Sequence, residues 1–168
     1  MDTEIEIERK YIIKKPSVEV MRLMDGYTES KITQIYLESD STVTHRIRSR
    51  IYFDRAVYTE TKKTRIDKMS AYEDEKEISE SEFSEKSKKK DKAARPILKT
   101  RYTFLYRGFT FEIDVYPEWE SCAIMETELS GREISLEIPP FIDIVREVTG
   151  EREYSNAAMS HSFPREPD

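Results

Sequence analysis

The stretch Glu4-Ile5-Glu6-Ile7-Glu8-Arg9-Lys10-Tyr11-Ile12-Ile13 places three carboxylates and an ammonium at every second position. A β-strand sends successive side chains to opposite faces, so Glu4, Glu6, Glu8 and Lys10 share one face. Ile5, Ile7, Tyr11 and Ile13 share the other. Carboxylates about 7 Å apart along one face repel each other unless something cationic sits among them. The spacing alone suits a hard metal ion, a basic partner, or the solvated outer face of an amphipathic strand.

The same alternation returns along the chain. Thr44 to Tyr52 carries Arg46, Arg48 and Arg50 on one face, and Val57 to Lys63 carries Thr59, Thr61 and Lys63. Tyr72 to Ile78 presents Glu73, Glu75 and Glu77, and Leu98 to Phe104 presents Lys99 and Arg101. Glu112 and Asp114 then oppose Phe109, Phe111, Ile113 and Val115, and Glu126 and Glu128 oppose Ala123, Met125, Thr127 and Leu129. A sandwich would also alternate, turning its charges to water. Solvent faces, however, rarely sort into acid-only pairs on some strands and base-only pairs on others, because stacked like charges destabilise a sheet. A closed barrel of about eight strands offers the other solution, with charges lining a water-filled bore wide enough for one small ligand. Convergent cations suit a polyanion, and clustered carboxylates suit a hard divalent metal. Together they describe a metal-assisted phosphate site on a mainly β fold.

The elements between these strands read more simply. Ser17 is expected to cap a short helix bearing Val20, Met21, Leu23 and Met24, with Gly26 ending it. Ile32 to Leu37 is a strand closed by the turn Glu38 to Ser41, and a turn near Asp54-Arg55 follows the arginine strand. Ser79 and Glu82 form a capping box, predicting a helix from about Glu80 into the lysines at 86–92, broken by Pro96. Lys88-Lys89-Lys90 serves as a solvated helix end, consistent with the dipole, rather than as a nucleic-acid patch. Arg107-Gly108 is expected to turn a hairpin. After Pro139-Pro140 a short helix carries Phe141, Ile142, Ile144, Val145 and Val148 up to Gly150, and Tyr154 to Met159 forms a last helical turn or two.

With 168 residues, the chain is expected to form one domain over 1–160, followed by a loose tail at 161–168. The 28 basic and 34 acidic residues leave a net charge of −6, which argues against a general nucleic-acid or membrane binder. A lone Cys122 forms no intrachain disulfide and fits a reducing compartment. Met1-Asp2-Thr3-Glu4 does not open like a signal peptide, and a cytoplasmic location is the expectation. Only His45 and His161 are present, so a metal site would rely on carboxylates.

These motifs resemble the CYTH domain, or triphosphate tunnel metalloenzyme, superfamily. Its ExExK hallmark matches Glu6-Ile7-Glu8-Arg9-Lys10, and the later motifs follow in order. They are Arg46-Ile47-Arg48, Thr61-Lys62-Lys63, Glu73-Asp74-Glu75, Lys99-Thr100-Arg101-Tyr102, Glu112-Ile113-Asp114 and Glu126-Thr127-Glu128. The resemblance spans Glu4 to Met159. It implies a closed eight-stranded antiparallel β-barrel tunnel with a few helices packed outside, binding triphosphate compounds with Mg²⁺ or Mn²⁺. Carried over, Glu6, Glu8, Asp114, Glu126 and Glu128 look like metal ligands, with Glu112 a further candidate. Arg46, Arg48, Lys63, Lys99 and Arg101 look like the phosphate cradle, joined by Lys10, and Glu73 and Glu75 look like acidic tunnel residues that orient the basic ones, with a secondary metal role left open. Relatives carry an arginine where Ala71 stands here, which Arg65 or Lys68 would replace, and a basic residue where Ser155 stands.

The implied activity is hydrolysis of the terminal phosphoryl group, first of inorganic triphosphate. Thiamine triphosphatase, nucleoside triphosphatase and a non-catalytic polyphosphate-binding module are the alternatives. The His-Phe pair that precedes ExExK in related cyclases is missing. Trp119 is a candidate for stacking on a thiazole or a base. The expected partner is a small-molecule triphosphate, without nucleic acid or membrane, and a homodimer is left open.

Overall fold

Strands that are charged on one side and apolar on the other can satisfy both faces by curling into a ring, and this chain does so. The computed structural model describes residues 3–40 and 42–168. The strands are β1 (Thr3–Lys14), β2 (Asp25–Tyr36), β3 (Thr44–Ile51), β4 (Ala56–Arg65), β5 (Ser70–Ile78), β6 (Ile97–Tyr106), β7 (Phe109–Val115), β8 (Cys122–Glu128) and β9 (Ile144–Glu147). They run in the order β5-β4-β3-β2-β6-β7-β8-β1-β9, and a further pairing of β1 with β5 closes the ring. Eight strands thus form a closed antiparallel barrel, and β9 is an added strand on β1. Closure removes the sheet edges that would otherwise have to be protected.

β1 is long enough to serve three neighbours. Thr3 to Ile7 pair with β5, Glu8 to Lys14 pair with β8 on the other side, and Tyr11 to Ile13 pair with β9. The expected helix at 141–148 is therefore not present. Pro139 starts a turn to Ile142, and the β-branched run that follows fills the backbone of β1 beyond the end of β5. An available edge outweighed the helical spacing of the apolar residues.

The other elements follow local chemistry more closely. Ser17 caps α1 (Val18–Arg22) through the Val20 amide, but the helix ends at Leu23 and Gly26 already lies in β2. Ser79 and Glu82 form both halves of the capping box of α2 (Glu80–Ser87). That helix stops before the lysine run because Lys90 bridges to Leu37 and the Asp91 amide reaches the Tyr36 carbonyl. Arg107 and Gly108 both take positive φ, at 47° and 83°, which is the twist a two-residue hairpin between β6 and β7 requires. A 3₁₀ turn (Arg152–Tyr154) leads into α3 (Asn156–His161), capped by Ser155. Met1, Asp2 and Ser41, the last residue of the expected turn after β2, lie outside the described residues. No helix among the described residues is long and apolar enough to cross a membrane.

The apolar residues form three groups. Outward residues of β1, β6, β7 and β8, including Tyr11, Ile13, Phe104, Phe111, Ile113 and Met125, pack under α1 and the segment around Leu136 to Ile142. Ile47 and Ile78 pack with Leu37 beneath Phe83 of α2. The third group, not foreseen, lies on the inward parity. Ile12, Ile97, Tyr116 and Ile124 continue the charged rows and pack with Tyr36, Trp119, Tyr154 and Met159. One side of the bore is thus filled with hydrocarbon, and the charged rows are confined to the rest.

The chain end is docked rather than loose. Glu166 accepts the backbone amides of Glu120, Ser121 and Cys122, and Trp119 donates its indole N–H to the Pro164 carbonyl at 2.9 Å. Phe163 packs against Tyr116 and Trp119.

Candidate active site

The inward rows surround a cavity of about 1260 Å³. Lys10, Arg46, Arg48, Lys63, Glu73, Glu75, Arg101, Glu6, Glu8, Glu112, Glu126 and Glu128 all line it. Lys99 and Asp114, which the sequence grouped with them, stand behind this wall.

Register explains how residues far apart in sequence meet. Across β3 and β4, Arg46 faces Thr61 and Arg48 faces Thr59, and on the next strand Thr61 faces Glu75 and Lys63 faces Glu73. On the opposite wall Glu8 faces Glu128, Lys10 faces Glu126, and Glu126 faces Glu112. The bore therefore has a basic wall on β3 and an acidic wall on β1, β8 and β7.

The basic wall carries unpartnered donors. The Nε atoms of Arg46 and Arg48 are buried and have no hydrogen-bond partner among the described residues. Arg48 donates to the side-chain Oε1 of Gln34 at 2.9 Å, and Gln34 Nε2 in turn donates to the Tyr36 hydroxyl at 3.1 Å. Burial, with Arg46 and Arg101 close by, pushes the Arg48 guanidinium down to about 9. Buried guanidinium donors standing this close together are better satisfied by an anion's oxygens than by each other. Arg50 extends the ladder, lining the cavity and donating to Ser30 Oγ at 2.9 Å. It belongs to the site, and the i, i+2 spacing from Arg48 was its signal. Gln34 carried no such signal, since a lone neutral amide in a strand looks like any polar residue.

Other cations are held by internal acids. Lys63 reaches Glu6 at 3.2 Å and Glu73 at 3.7 Å, and Thr61 donates to Glu75 at 2.9 Å. Lys10 lies 3.3 Å from Glu126 and donates to the Tyr154 carbonyl at 3.1 Å. The tightest cluster is Asp114, whose two oxygens accept from Arg101 Nε at 2.8 Å and Nη2 at 2.9 Å. Lys99 Nζ adds a contact at 2.8 Å to the same carboxylate, and Arg101 also holds Glu112 at 2.8 Å. Burial opposes charge on Asp114, but Arg101 and Lys99 overcome it and hold the group well below the usual carboxylate range. Burial pushes Lys99 down to about 7, although Asp114 opposes the shift. With both oxygens so occupied, Asp114 fixes Arg101 in place rather than facing the cavity as a ligand.

The acidic wall is the counterpart of the basic one. Burial raises Glu8 well above the ordinary range, and the neighbouring Glu126 raises it further. Glu6 and Glu128 are also raised, each chiefly by burial. Glu126 goes the other way, down to about 2, because Lys10 and the nearby cations outweigh its burial. Glu8 and Glu128 are opposed partners and form no ion pair among the described residues. An all-oxygen donor set with crowded carboxylates fits Mg²⁺ or Mn²⁺. No group of three or more acidic, histidine or cysteine side chains among the described residues makes a ready metal cage.

Some residues that drew attention in the sequence lie elsewhere. Trp119 is 1% exposed in the apolar cluster, away from the cavity. Ala71 faces Arg65 across β4 and β5, and both Arg65 and Lys68 line the cavity.

A scan against protein-family models and a search of curated proteins both find no match. Solved structures do match over most of the chain. The inorganic triphosphatase NE1496 is 25% identical, covering 95% of this chain and 97% of that one, with a TM-score of 0.60. The PH1819 protein from Pyrococcus horikoshii OT3 is 20% identical over 76% of this chain and 80% of its own, with a TM-score of 0.57. A conserved hypothetical protein from Pyrococcus furiosus is 22% identical over 76% and 80%, with a TM-score of 0.55. With its closed eight-stranded ring, its inward-facing charged rows and these neighbours, the chain has the CYTH, or triphosphate tunnel, fold.

Proposed function

We propose that this chain is a divalent-metal-dependent hydrolase of triphosphate compounds, acting on inorganic tripolyphosphate to give pyrophosphate and phosphate. The observation that carries this reading is that unpartnered guanidinium donors and crowded carboxylates face one cavity. Among the described residues, Arg46 and Arg48 have buried Nε donors without hydrogen-bond partners, and Glu8 and Glu128 oppose each other with neither in an ion pair, although Lys10 and Lys63 act on Glu8 from further off. Phosphate oxygens satisfy the first set and a hard cation satisfies the second. The likeness to an inorganic triphosphatase at 25% identity supports the same class of substrate.

The lining also favours a bare phosphate chain over an organic ester. Apart from His45 and His161, Tyr36 is the sole aromatic ring among the described lining residues, and its hydroxyl is engaged by Gln34. With Trp119 buried elsewhere, a base or thiazole finds no broad face on which to stack.

In this reading Arg46, Arg48 and Arg50 bind non-bridging phosphate oxygens and orient the chain. Arg101 and Lys63, fixed by Asp114 and by Glu6 with Glu73, complete the cradle without having to reorganise. Glu8 and Glu128 would hold the metal ion, and the oxygens of Glu126 or Glu6, now paired with Lys10 and Lys63, would be the further donors. When bound, the metal neutralises charge on the phosphate oxygens and lowers the barrier to in-line attack by water. Phosphoryl transfer of this kind needs positioning and charge rather than a protein nucleophile, and the cavity supplies both.

Steady-state kinetics on tripolyphosphate, thiamine triphosphate and ATP test the reading. Tripolyphosphate should give the highest kcat/KM, by tenfold or more. A preference for either organic triphosphate would overturn the substrate assignment.

A further inference from the structure

The arginines of β3 stand beside a row of uncharged residues on β2. Register sets Tyr36 opposite Arg46 and Gln34 opposite Arg48, and Arg50 reaches Ser30 Oγ at 2.9 Å. Lys63 and Arg101, by contrast, are held by carboxylates. A carboxylate would orient a guanidinium equally well, but it would also offset the charge and compete with phosphate for the donors. A neutral amide or hydroxyl oxygen orients the guanidinium and leaves its charge for a ligand.

Gln34 is wholly buried, and the two ends of its amide have different partners. Arg48 Nη2 donates to Oε1 at 2.9 Å, and Nε2 donates to the Tyr36 hydroxyl at 3.1 Å. A guanidinium has donors only, so Oε1 has to face Arg48 and Nε2 has to face Tyr36. The reverse orientation would set N–H against N–H. Burial lowers the Arg46 guanidinium, but the Tyr36 oxygen beside it, with Glu73 and Glu75, raises it on balance. Tyr36 thus accepts from Gln34 on one side and lies beside a second donor group on another. Its own hydrogen turns away from both, and the cavity that Tyr36 lines is the side left to receive it.

We propose that Gln34 is a positioning residue that aims Arg48 without neutralising it and turns the Tyr36 hydroxyl into a donor toward the bound phosphate chain. It acts through these two neighbours rather than by touching substrate. This deepens the tripolyphosphate reading and rests on it.

Calorimetric titration of tripolyphosphate in chelator, on the full chain, tests the relay by a double-mutant cycle. Gln34→Glu keeps the size of the side chain but lets a carboxylate take both Arg48 and the Tyr36 proton. It should weaken tripolyphosphate binding about thirtyfold, while Tyr36→Phe in the wild-type background should weaken it about tenfold. Added to Gln34→Glu, Tyr36→Phe should cost less than about twofold, because the hydroxyl no longer faces the ligand. A purely structural amide would leave the Tyr36 effect equal in both backgrounds, and that result would overturn the proposal. So would unchanged affinity in Tyr36→Phe, which decides the matter alone should Gln34→Glu not fold. Wild-type binding without any hydrolysis in Mg²⁺ would instead overturn the proposed reaction and leave the relay standing. Failure of the wild type to bind tripolyphosphate would overturn both.

Discussion

Two residues in the same bore, Asp114 and Arg48, illustrate opposite uses of charge. Asp114 is 1% exposed and balances two buried cations, so its charge is structural. Asp114→Asn should cost about 3–5 kcal/mol in denaturant unfolding, because it leaves Lys99 and Arg101 short of a counter-ion. Arg48 has a buried, unpartnered Nε and crowding from Arg46, so removing it relieves repulsion while giving up one bond to Gln34. Arg48→Ala should therefore change stability by less than about 1 kcal/mol yet weaken tripolyphosphate binding at least tenfold. If the two variants swapped behaviour, with Arg48→Ala unfolding easily and Asp114→Asn stable, the assignment of wall and brace would be reversed. Sequence parity placed both residues on the inner face. It did not tell which carboxylate is spent on a neighbour, because Glu126 and Asp114 look alike until the partner strand's arginine is in register.

At the scale of elements, α2 is tied to the barrel by a second charge cluster outside the bore. Glu60 is 6% exposed and meets His45 at 2.8 Å, Lys86 of α2 at 3.2 Å and Lys76 at 3.3 Å. Burial opposes its charge, but His45 and the two lysines overcome this and hold it down to about 2. A depressed carboxylate contributes stability above its ordinary value near 4.5, and that contribution is lost as pH falls toward 2. Glu60→Gln should be less stable than wild type by about 1–3 kcal/mol at pH 7, and the gap should close as pH falls from about 5 to 2. Parallel curves at every pH would show that Glu60 contributes through packing alone. Elements with local signals, such as the capping box at Ser79 and the Arg107-Gly108 turn, were legible because each is decided within a few residues. β9 and the docked tail were not, since each depends on a partner far away in sequence: the free edge of β1 and the amides of 120–122. β2 was read at half its length, because its first half, Asp25 to Lys31, is polar and lacks an apolar row.

Over the whole molecule, the ring gathers like charges that a ligand should hold together. A ligand that binds the folded state alone stabilises it by about 2.7 kcal/mol at a hundredfold excess over Kd, which for this size is roughly 5 °C or more in Tm. Tripolyphosphate with Ca²⁺ should give such a shift, and sulfate with Ca²⁺ much less, because sulfate cannot span both walls. Equal shifts that vanish by about 0.5 M salt would mean that the charges act as an exposed surface. The fold was legible at this scale because alternation with segregated signs has few solutions other than a closed ring. The hydrocarbon filling one side of the bore was hidden, because Ile12 and Ile124 continue the charged rows without any change of spacing.

Phosphate release from tripolyphosphate, measured with Mg²⁺, after chelation and again after Mg²⁺ is restored, tests the account most directly. It predicts one phosphate and one pyrophosphate per substrate with metal, loss of turnover in chelator, and full recovery. Glu8→Gln should lose at least a hundredfold in turnover under the same conditions. Undiminished turnover in excess chelator, or no release of phosphate with either Mg²⁺ or Mn²⁺, would contradict it.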